Sequence, residues 1–191
     1  MTKAELRKQY LNKRKQFAAE ELQLKSLQIG MQFFKHFNVE NIRYLHVFLP
    51  ISRQNEIDTW PIIQRSLKNY PSLHIVIPRG NSNTLTLDNY CYTAETKLQT
   101  NQWGISEPVN GEMVAASLIE MVIVPLIAFD EKGYRVGYGK GFYDRFLAQC
   151  RKETVKVGLS IEAPVPEITD IDQYDIPMDY CITPEKLWEF R

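Results

Sequence analysis

The sequence predicts a single α/β domain: an open, mainly parallel β-sheet flanked by helices, with a few short antiparallel strands. Strand-like and helix-like segments alternate along the chain, and the strand-like segments are apolar on both faces, as in a sheet covered by helices on both sides. No internal repeat, low-complexity tract or linker divides the 191 residues. A chain of this length buries one sizeable core, so residues 1–191 are expected to form one domain.

The first half of the chain is expected to begin with a helix. Thr2 and Glu5 have the spacing of a capping box, which opens a helix that should run to about Phe17. On the helical wheel Lys3, Arg7 and Arg14 lie close together, beside an apolar strip. The other elements predicted here are a helix around residues 22–37, a strand at 43–50 ("RYLHVFLP"), a helix at about 59–70 and a strand at 73–79 ("LHIVIPR").

The second half is expected to continue this alternation around a glycine-rich loop. The most apolar strand is "MVIVPLI" at residues 121–127, and the glycine loop follows it. The other predicted elements are short antiparallel pieces at 81–93, a loop carrying "NQWGISEP", a helix at about 140–150, a strand "TVKVGLS", a loop at 163–177 and a last short strand near "YCIT".

Composition excludes several classes of function. There are 23 basic and 23 acidic residues, so a general attraction to nucleic acid or to an anionic membrane is not indicated. The longest apolar run, residues 121–129, is about half of what a bilayer span needs. The three cysteines form no CxxC pair, and reduced thiols of a cytoplasmic protein are expected. His36, His46 and His74 lack metal-ligand spacing and are predicted to be structural or exposed.

The stretch "GYRVGYGKGFYDRFL", residues 133–147, carries the most chemistry. It is not a P-loop, because Lys140 is followed by Gly141, and it is not a dinucleotide fingerprint, because Phe142 stands three positions after Gly139. Clustered glycines nevertheless let backbone amides approach an anion, Lys140 adds a charge, and Asp144 is a possible magnesium ligand. From the pattern alone, a phosphate site and a glycine-rich turn with a surface lysine both remain open.

The longer segment "VPLIAFDEKGYRVGYGKGFYDRFL" resembles the signature of the 5-formyltetrahydrofolate cyclo-ligase family. "KAELRK", "NEID", "GISEP" and "YDIPMDYCIT" extend the resemblance over essentially the whole chain. It implies ATP-dependent conversion of 5-formyltetrahydrofolate to 5,10-methenyltetrahydrofolate, in which a phosphoryl group activates the formyl oxygen and N10 closes the ring. One position departs from the pattern, since many members have His where this chain has Tyr174.

The resemblance also implies roles for particular residues, with Lys140 and Arg135 as the catalytic pair. It implies Asp144 and Asp175 as the carboxylates for Mg²⁺. The implied ATP contacts are Lys3, Ala4, Glu5, Leu6, Arg7, Arg135, Val136, Gly137, Tyr138, Gly139, Lys140, Gly141, Phe142 and Tyr143. The implied folate contacts are Ile51, Glu56, Trp103, Tyr138, Gly139, Lys140, Gly141 and Phe142.

Without the resemblance these residues have plainer explanations. The stripe formed by Lys3, Arg7 and Arg14 is typical of a solvated helix face, and Asp175 of a loop acid. Glu56 alone fits an acid at the start of a helix, and the aromatic residues fit core packing as well as stacking on a ligand.

Three other functions remain to be separated from the ligase. A non-catalytic nucleotide sensor would bind ATP without forming product, and a sugar-phosphate isomerase or transferase would not need ATP. A nucleic-acid module is the weakest, because the chain lacks a basic stretch interleaved with aromatic residues. The expected partners are therefore 5-formyltetrahydrofolate and ATP, with no nucleic acid and no membrane, bound by a cytoplasmic monomer.

Overall fold

A computed structural model describes residues 1–191, apart from the side chain of Ser52, and contains four α-helices and eleven strands within that part. The helices are α1 (Lys3–Arg14), α2 (Ala19–His36), α3 (Trp60–Asn69) and α4 (Phe142–Leu147). The strands are β1 (Tyr44–Val47), β2 (His74–Asn81), β3 (Thr86–Cys91), β4 (Leu98–Thr100), β5 (Ser106–Pro108), β6 (Met121–Val124), β7 (Ala128–Phe129), β8 (Arg135–Val136), β9 (Val155–Leu159), β10 (Tyr180–Ile182) and β11 (Leu187–Glu189).

The central sheet has seven strands in the order β11-β10-β9-β6-β1-β2-β3. Its five inner strands are parallel, and only β3 and β11 at the two edges run antiparallel. Two small antiparallel pairs, β4–β5 and β7–β8, lie outside it. The predicted fold class is confirmed, including the mainly parallel sheet and the short antiparallel strands.

Both faces of the sheet are buried because helices cover each of them, and successive side chains of a strand point to opposite faces. In β1, Leu45 and Val47 face α2 and α3 and join the largest core cluster. His46 points the other way and packs against Phe146 of α4, with 4.7 Å between the ring centroids. The remaining helix, α1, packs Leu6 and Tyr10 against the β7–β8 pair.

Helix α1 starts as predicted and ends earlier. The side chain of Thr2 accepts from the Glu5 amide and the Glu5 side chain accepts from the Thr2 amide, which completes the capping box. The helix ends at Arg14 and not near Phe17. The amides of Gln16 and Phe17 bond to carbonyls three residues earlier, which tightens the chain into a turn.

Other predicted boundaries need correction. The helix expected over residues 140–150 covers only Phe142–Leu147. It begins after Gly141, which has a φ of 69°, outside the helical region. At its end, the amides of Gln149 and Cys150 bond to carbonyls three residues earlier, which turns the chain out of the helix. The apolar strand stops at Val124, before a proline, and the chain then forms the β7–β8 pair, of which only β8 lies within the glycine-rich stretch 133–147. The hairpin β4–β5 occupies the region predicted as a loop, and β11 was not predicted.

The structure also shows the state of the cysteines, the exposure of the histidines and the character of the helices. The three cysteines are free thiols. His36 and His74 are exposed, whereas His46 is buried and burial lowers its pKa to about 3, so its ring is neutral. Within the part of the chain that the structure describes, no helix has the length and apolar character needed to cross a membrane.

Candidate functional site

The glycine loop, residues 137–141, lies against the first helix. The Arg7 Nε donates to the carbonyl oxygen of Gly137 at 2.8 Å. Gly139 has a φ of 86°, and a Cβ there would lie 3.3 Å from the Arg7 guanidinium. Bare backbone therefore serves two needs at this position, a left-handed conformation and the close approach of a cation.

Lys140 is the unengaged cation of the loop. Its side chain is exposed, and no acidic group of the described residues lies within salt-bridge distance of it. Its carbonyl oxygen accepts from Arg145 Nη1 at 2.9 Å, which fixes the backbone at this point. The ammonium is thus available to an anionic ligand, and its predicted contact with phosphate stays a prediction.

Arg135 is tied to groups of the protein on both of its terminal nitrogens. Nη2 donates to Oδ1 of Asp144 at 2.7 Å, and Nη1 donates to the carbonyl oxygen of Ile176 at 2.6 Å. The Ile176 amide donates to the same Asp144 oxygen at 3.3 Å. The Arg135 side chain is only 6% exposed. Its geometry therefore fits a residue that positions Asp144 and the loop around Ile176.

Asp175, the other predicted metal ligand, is held by the start of α1. Its Oδ2 accepts from Lys3 Nζ in a close contact and from the Asp172 amide at 2.7 Å. The Lys3 amide donates to Asp170 Oδ1 at 2.6 Å. The acidic loop predicted from the sequence thus docks on the N-terminal end of the helix, where Lys3 pairs with the Asp175 carboxylate.

The two acids suit a magnesium ion by their donor chemistry. In the described residues, no protein donor bonds to Oδ2 of Asp144 or to Oδ1 of Asp175, so each acid is anchored through one oxygen and keeps the other available. Ile176, which bonds to Asp144, is the neighbour of Asp175 in the chain. No group of three or more His, Cys, Asp or Glu among these residues could hold a metal. Mg²⁺ commonly takes one or two protein carboxylates together with phosphate oxygens.

Glu56 is a buried carboxylate that the glycine loop contacts directly. Its Oε2 accepts from the Ile51 amide at 2.8 Å and its Oε1 from the Tyr138 hydroxyl at 2.7 Å. Burial raises the pKa of Glu56, and these two hydrogen bonds oppose that rise. Burial likewise raises the pKa of Tyr138, which stays a hydrogen-bond donor. A carboxylate has about four lone-pair sites, so Glu56 can accept further bonds from a ligand.

Arg14 is the residue that sequence reasoning misplaced. It was grouped with Lys3 and Arg7 on a solvated helix face, whereas it is 6% exposed. Its Nη2 donates to the carbonyl oxygen of Leu126, and its own carbonyl accepts from Asn55 Nδ2 at 2.9 Å. Tyr10, four residues earlier on the helix, is an apolar neighbour that could have signalled the burial.

The other predicted contact residues have mixed placements. Trp103 is 47% exposed in the hairpin connection between β4 and β5. The ring of Phe142 lies 3.8 Å from where a Cβ of Gly80 would be, and the Tyr143 hydroxyl is buried without a partner among the described residues. Ala4, Glu5 and Tyr138 are exposed as well.

Two predicted ATP contacts have side chains in the core. Leu6 and Val136 belong to one buried cluster, and the Val136 carbonyl accepts from the Ile127 amide at 2.7 Å. Any nucleotide contact there is limited to backbone groups. Ile51 acts through its amide on Glu56, while Tyr174, at the position that departs from the resemblance, is 75% exposed.

Comparison with known proteins gives one family. The model of the 5-formyltetrahydrofolate cyclo-ligase family matches residues 1–184. The 5-formyltetrahydrofolate cyclo-ligase of Escherichia coli (strain K12) is 32% identical over 145 residues, which cover 73% of this chain and 78% of that protein. The Mus musculus enzyme of the same name is 26% identical over 183 residues, covering 91% of this chain and 89% of that protein.

Solved structures agree with this result. The NMR structure of Aquifex aeolicus 5,10-methenyltetrahydrofolate synthetase matches with a TM-score of 0.83 and 30% identity, over 100% of this chain and 94% of that chain. The 5,10-methenyltetrahydrofolate synthetase from Mycoplasma pneumoniae has the same fold, with a TM-score of 0.75 at 22% identity.

Proposed function

This chain belongs to the 5-formyltetrahydrofolate cyclo-ligase family, and from that membership we propose that it catalyses the ATP-dependent cyclisation of 5-formyltetrahydrofolate to 5,10-methenyltetrahydrofolate. One contact carries the proposal for these residues. The Tyr138 hydroxyl, which belongs to the glycine loop, bonds to the buried Glu56. A phosphate-type loop and a carboxylate suited to a pterin ring therefore share one site.

The reaction needs activation because the formyl carbon is a poor electrophile with a poor leaving group. The formyl oxygen attacks the γ-phosphorus of ATP, and ADP leaves with the electrons of the broken P–O bond. N10 then attacks the formyl carbon and loses its proton, and the C–O bond breaks as phosphate departs. In this scheme the protein mainly has to position two ligands and neutralise phosphate charge.

Residues of the glycine loop and α1 supply that charge. Lys140 has a free ammonium at the loop, and the Arg7 guanidinium lies against Gly139. We assign Lys140 to the transferring phosphoryl group, since an oriented cation stabilises charge that develops in the transition state. Arg7 and Lys3 extend the positive surface toward the remaining phosphates.

Asp144 and Asp175 are the residues that would hold Mg²⁺, each through the oxygen that no protein donor occupies. When bound, the ion would neutralise phosphate charge. Arg135 and Lys3 keep the two carboxylates oriented by bonding to their other oxygens. Metal affinity without nucleotide should be weak, because only two carboxylates contribute.

The same proposal covers partners and location. The substrates are 5-formyltetrahydrofolate and ATP. The protein acts as a monomer in the cytoplasm and binds neither nucleic acid nor a membrane. The formal net charge of zero supports the proposal that neither nucleic acid nor a membrane is a partner, since it gives no general attraction to polyanions.

The test is incubation of the purified protein with 5-formyltetrahydrofolate, with and without ATP and Mg²⁺, followed by absorbance of the methenyl product. Product should form only when both are present, with ADP and phosphate released one for one. Product without ATP, or release of AMP and pyrophosphate, would contradict the scheme. ATP binding without any product would favour a nucleotide sensor.

A further inference from the structure

Arg14, at the last residue of α1, has a donor without an acceptor. Its Nη2 bonds to the Leu126 carbonyl, but Nη1 is buried and has no hydrogen-bond partner among the described residues. A buried, unsatisfied donor costs about 1–3 kcal/mol, and more for a charged group. An acceptor at this place, from a ligand or from water, would remove that cost.

The backbone at Arg14 lies beside the segment that carries the buried carboxylate of the site. Asn55, the residue before Glu56, bonds through its side chain to the Arg14 carbonyl at 2.9 Å, so the end of α1 and the Glu56 segment are fastened together. The positive charge of Arg14 opposes the effect of burial on the pKa of Glu56 and on that of Tyr138. Arg14 and Glu56 are therefore buried charged residues of adjoining segments, and the Tyr138 hydroxyl bonds to Glu56 from the glycine loop.

We propose that Arg14 is a further folate-binding residue, whose Nη1 donates to the ring carbonyl oxygen of the pterin while Glu56 accepts from the neighbouring ring donors. This edge of a pterin presents an amino group, a ring N–H and a carbonyl oxygen side by side. A carboxylate next to a guanidinium offers the matching order of acceptors and donor. The inference rests on the proposed function and deepens it, since it concerns how that site selects its substrate.

The proposal makes Arg14 a determinant of specificity at one atom. In a 4-amino analogue the carbonyl oxygen is replaced by an amino group, so two donors would face each other. The wild-type protein should bind the 4-oxo ligand more tightly than the 4-amino ligand by about 10- to 100-fold, the range expected when a buried donor loses its acceptor.

The experiment measures dissociation constants of 5-formyltetrahydrofolate and its 4-amino counterpart without ATP, by quenching of tryptophan fluorescence. In Arg14→Met, affinity for the 4-oxo ligand should fall about 10- to 100-fold, and the ratio between the two ligands should approach one. The 4-amino ligand also differs from the 4-oxo ligand at the ring N–H that faces Glu56. This difference affects the wild-type protein and Arg14→Met equally, so it cancels when the 4-oxo to 4-amino affinity ratios of the two proteins are compared. ATP affinity should stay within about twofold, because this residue lies at the far end of α1 from Lys3.

Controls separate binding from folding. Lys13→Met changes the neighbouring residue, which is paired with Glu162 at the surface, and should leave the ratio unchanged. Arg14→Lys keeps the charge with a single donor group, so it serves if Arg14→Met does not fold, and it should lose part of the discrimination.

Full 4-oxo preference in a folded Arg14 variant would overturn the inference and assign Nη1 to a water molecule. Failure of the proposed function would look different, since the wild-type protein would then bind neither ligand.

Discussion

Arg135 offers a direct test of how the site is held together. Arg135→Met removes a side chain that is 6% exposed and bonds to Asp144 at 2.7 Å and to the Ile176 carbonyl at 2.6 Å. Breaking a buried ion pair costs about 3–5 kcal/mol, because the remaining charge is uncompensated. Asp144 is 27% exposed, so water recovers part of that cost. We expect a loss of about 3 kcal/mol in the free energy of unfolding.

Urea unfolding followed by tryptophan fluorescence measures this loss, and Arg151→Met, at an exposed arginine of the chain segment after α4, is the matched control. Turnover should also fall by roughly 10²-fold, since Asp144 and the loop around Ile176 lose their shared anchor. Arg135→Lys keeps the charge but makes one of the two bonds, so intermediate values are expected. A change below about 0.5 kcal/mol in Arg135→Met, the range of an ordinary surface substitution, would refute the anchoring role.

Three further predictions concern the ligands. Because burial raises the pKa of Glu56, folate binding by its ionised form should be lost as the pH falls through that raised value. The acid limb of the pH profile of kcat/KM for folate should therefore lie above the ordinary range of a glutamate pKa. In Glu56→Gln this limb should flatten, with the KM for ATP nearly unchanged. Lys140→Met should slow turnover about 10²- to 10³-fold, as for loss of an oriented donor, and Lys140→Arg should not restore it; near-normal turnover would make Lys140 a surface residue. Asp144→Asn and Asp175→Asn should each weaken metal dependence and turnover with the fold intact. The fold-loss of turnover in the double variant should be much smaller than the product of the two single fold-losses. Titration of the activity of all three variants with Mg²⁺ measures these effects.

The sequence predicted those features that local patterns determine. Thr2 and Glu5 define the start of α1 by their own side chains, and the apolar strands identify the parallel sheet. The glycine loop could be recognised because its glycines, Lys140 and Asp144 lie close together in the chain.

Features that depend on distant partners could not be read in this way. Residues 106–108 form a strand only because residues 98–100 pair with them, and the β7–β8 pair is too short to show an alternating pattern. The burial of Arg14 depends on the Leu126 carbonyl, 112 residues away in sequence. Arg135 was predicted to be catalytic, but its partners Asp144 and Ile176 show a residue bonded to other parts of the protein; whether it also touches a ligand stays a prediction.

The length of helix α1 limits which sequence changes the protein can tolerate. Lys3 at its first residue contacts Asp175, and Arg14 at its last lies beside the Glu56 segment. Its 12 residues span about 18 Å at 1.5 Å per residue, so one rigid rod sets the spacing between the two ends of the site. One inserted residue would turn Arg14 by about 100° relative to Lys3 and uncouple the two ends. The helix can therefore tolerate substitutions on its outer face, whereas an insertion or a deletion would change the spacing between Lys3 and Arg14 and disrupt the site.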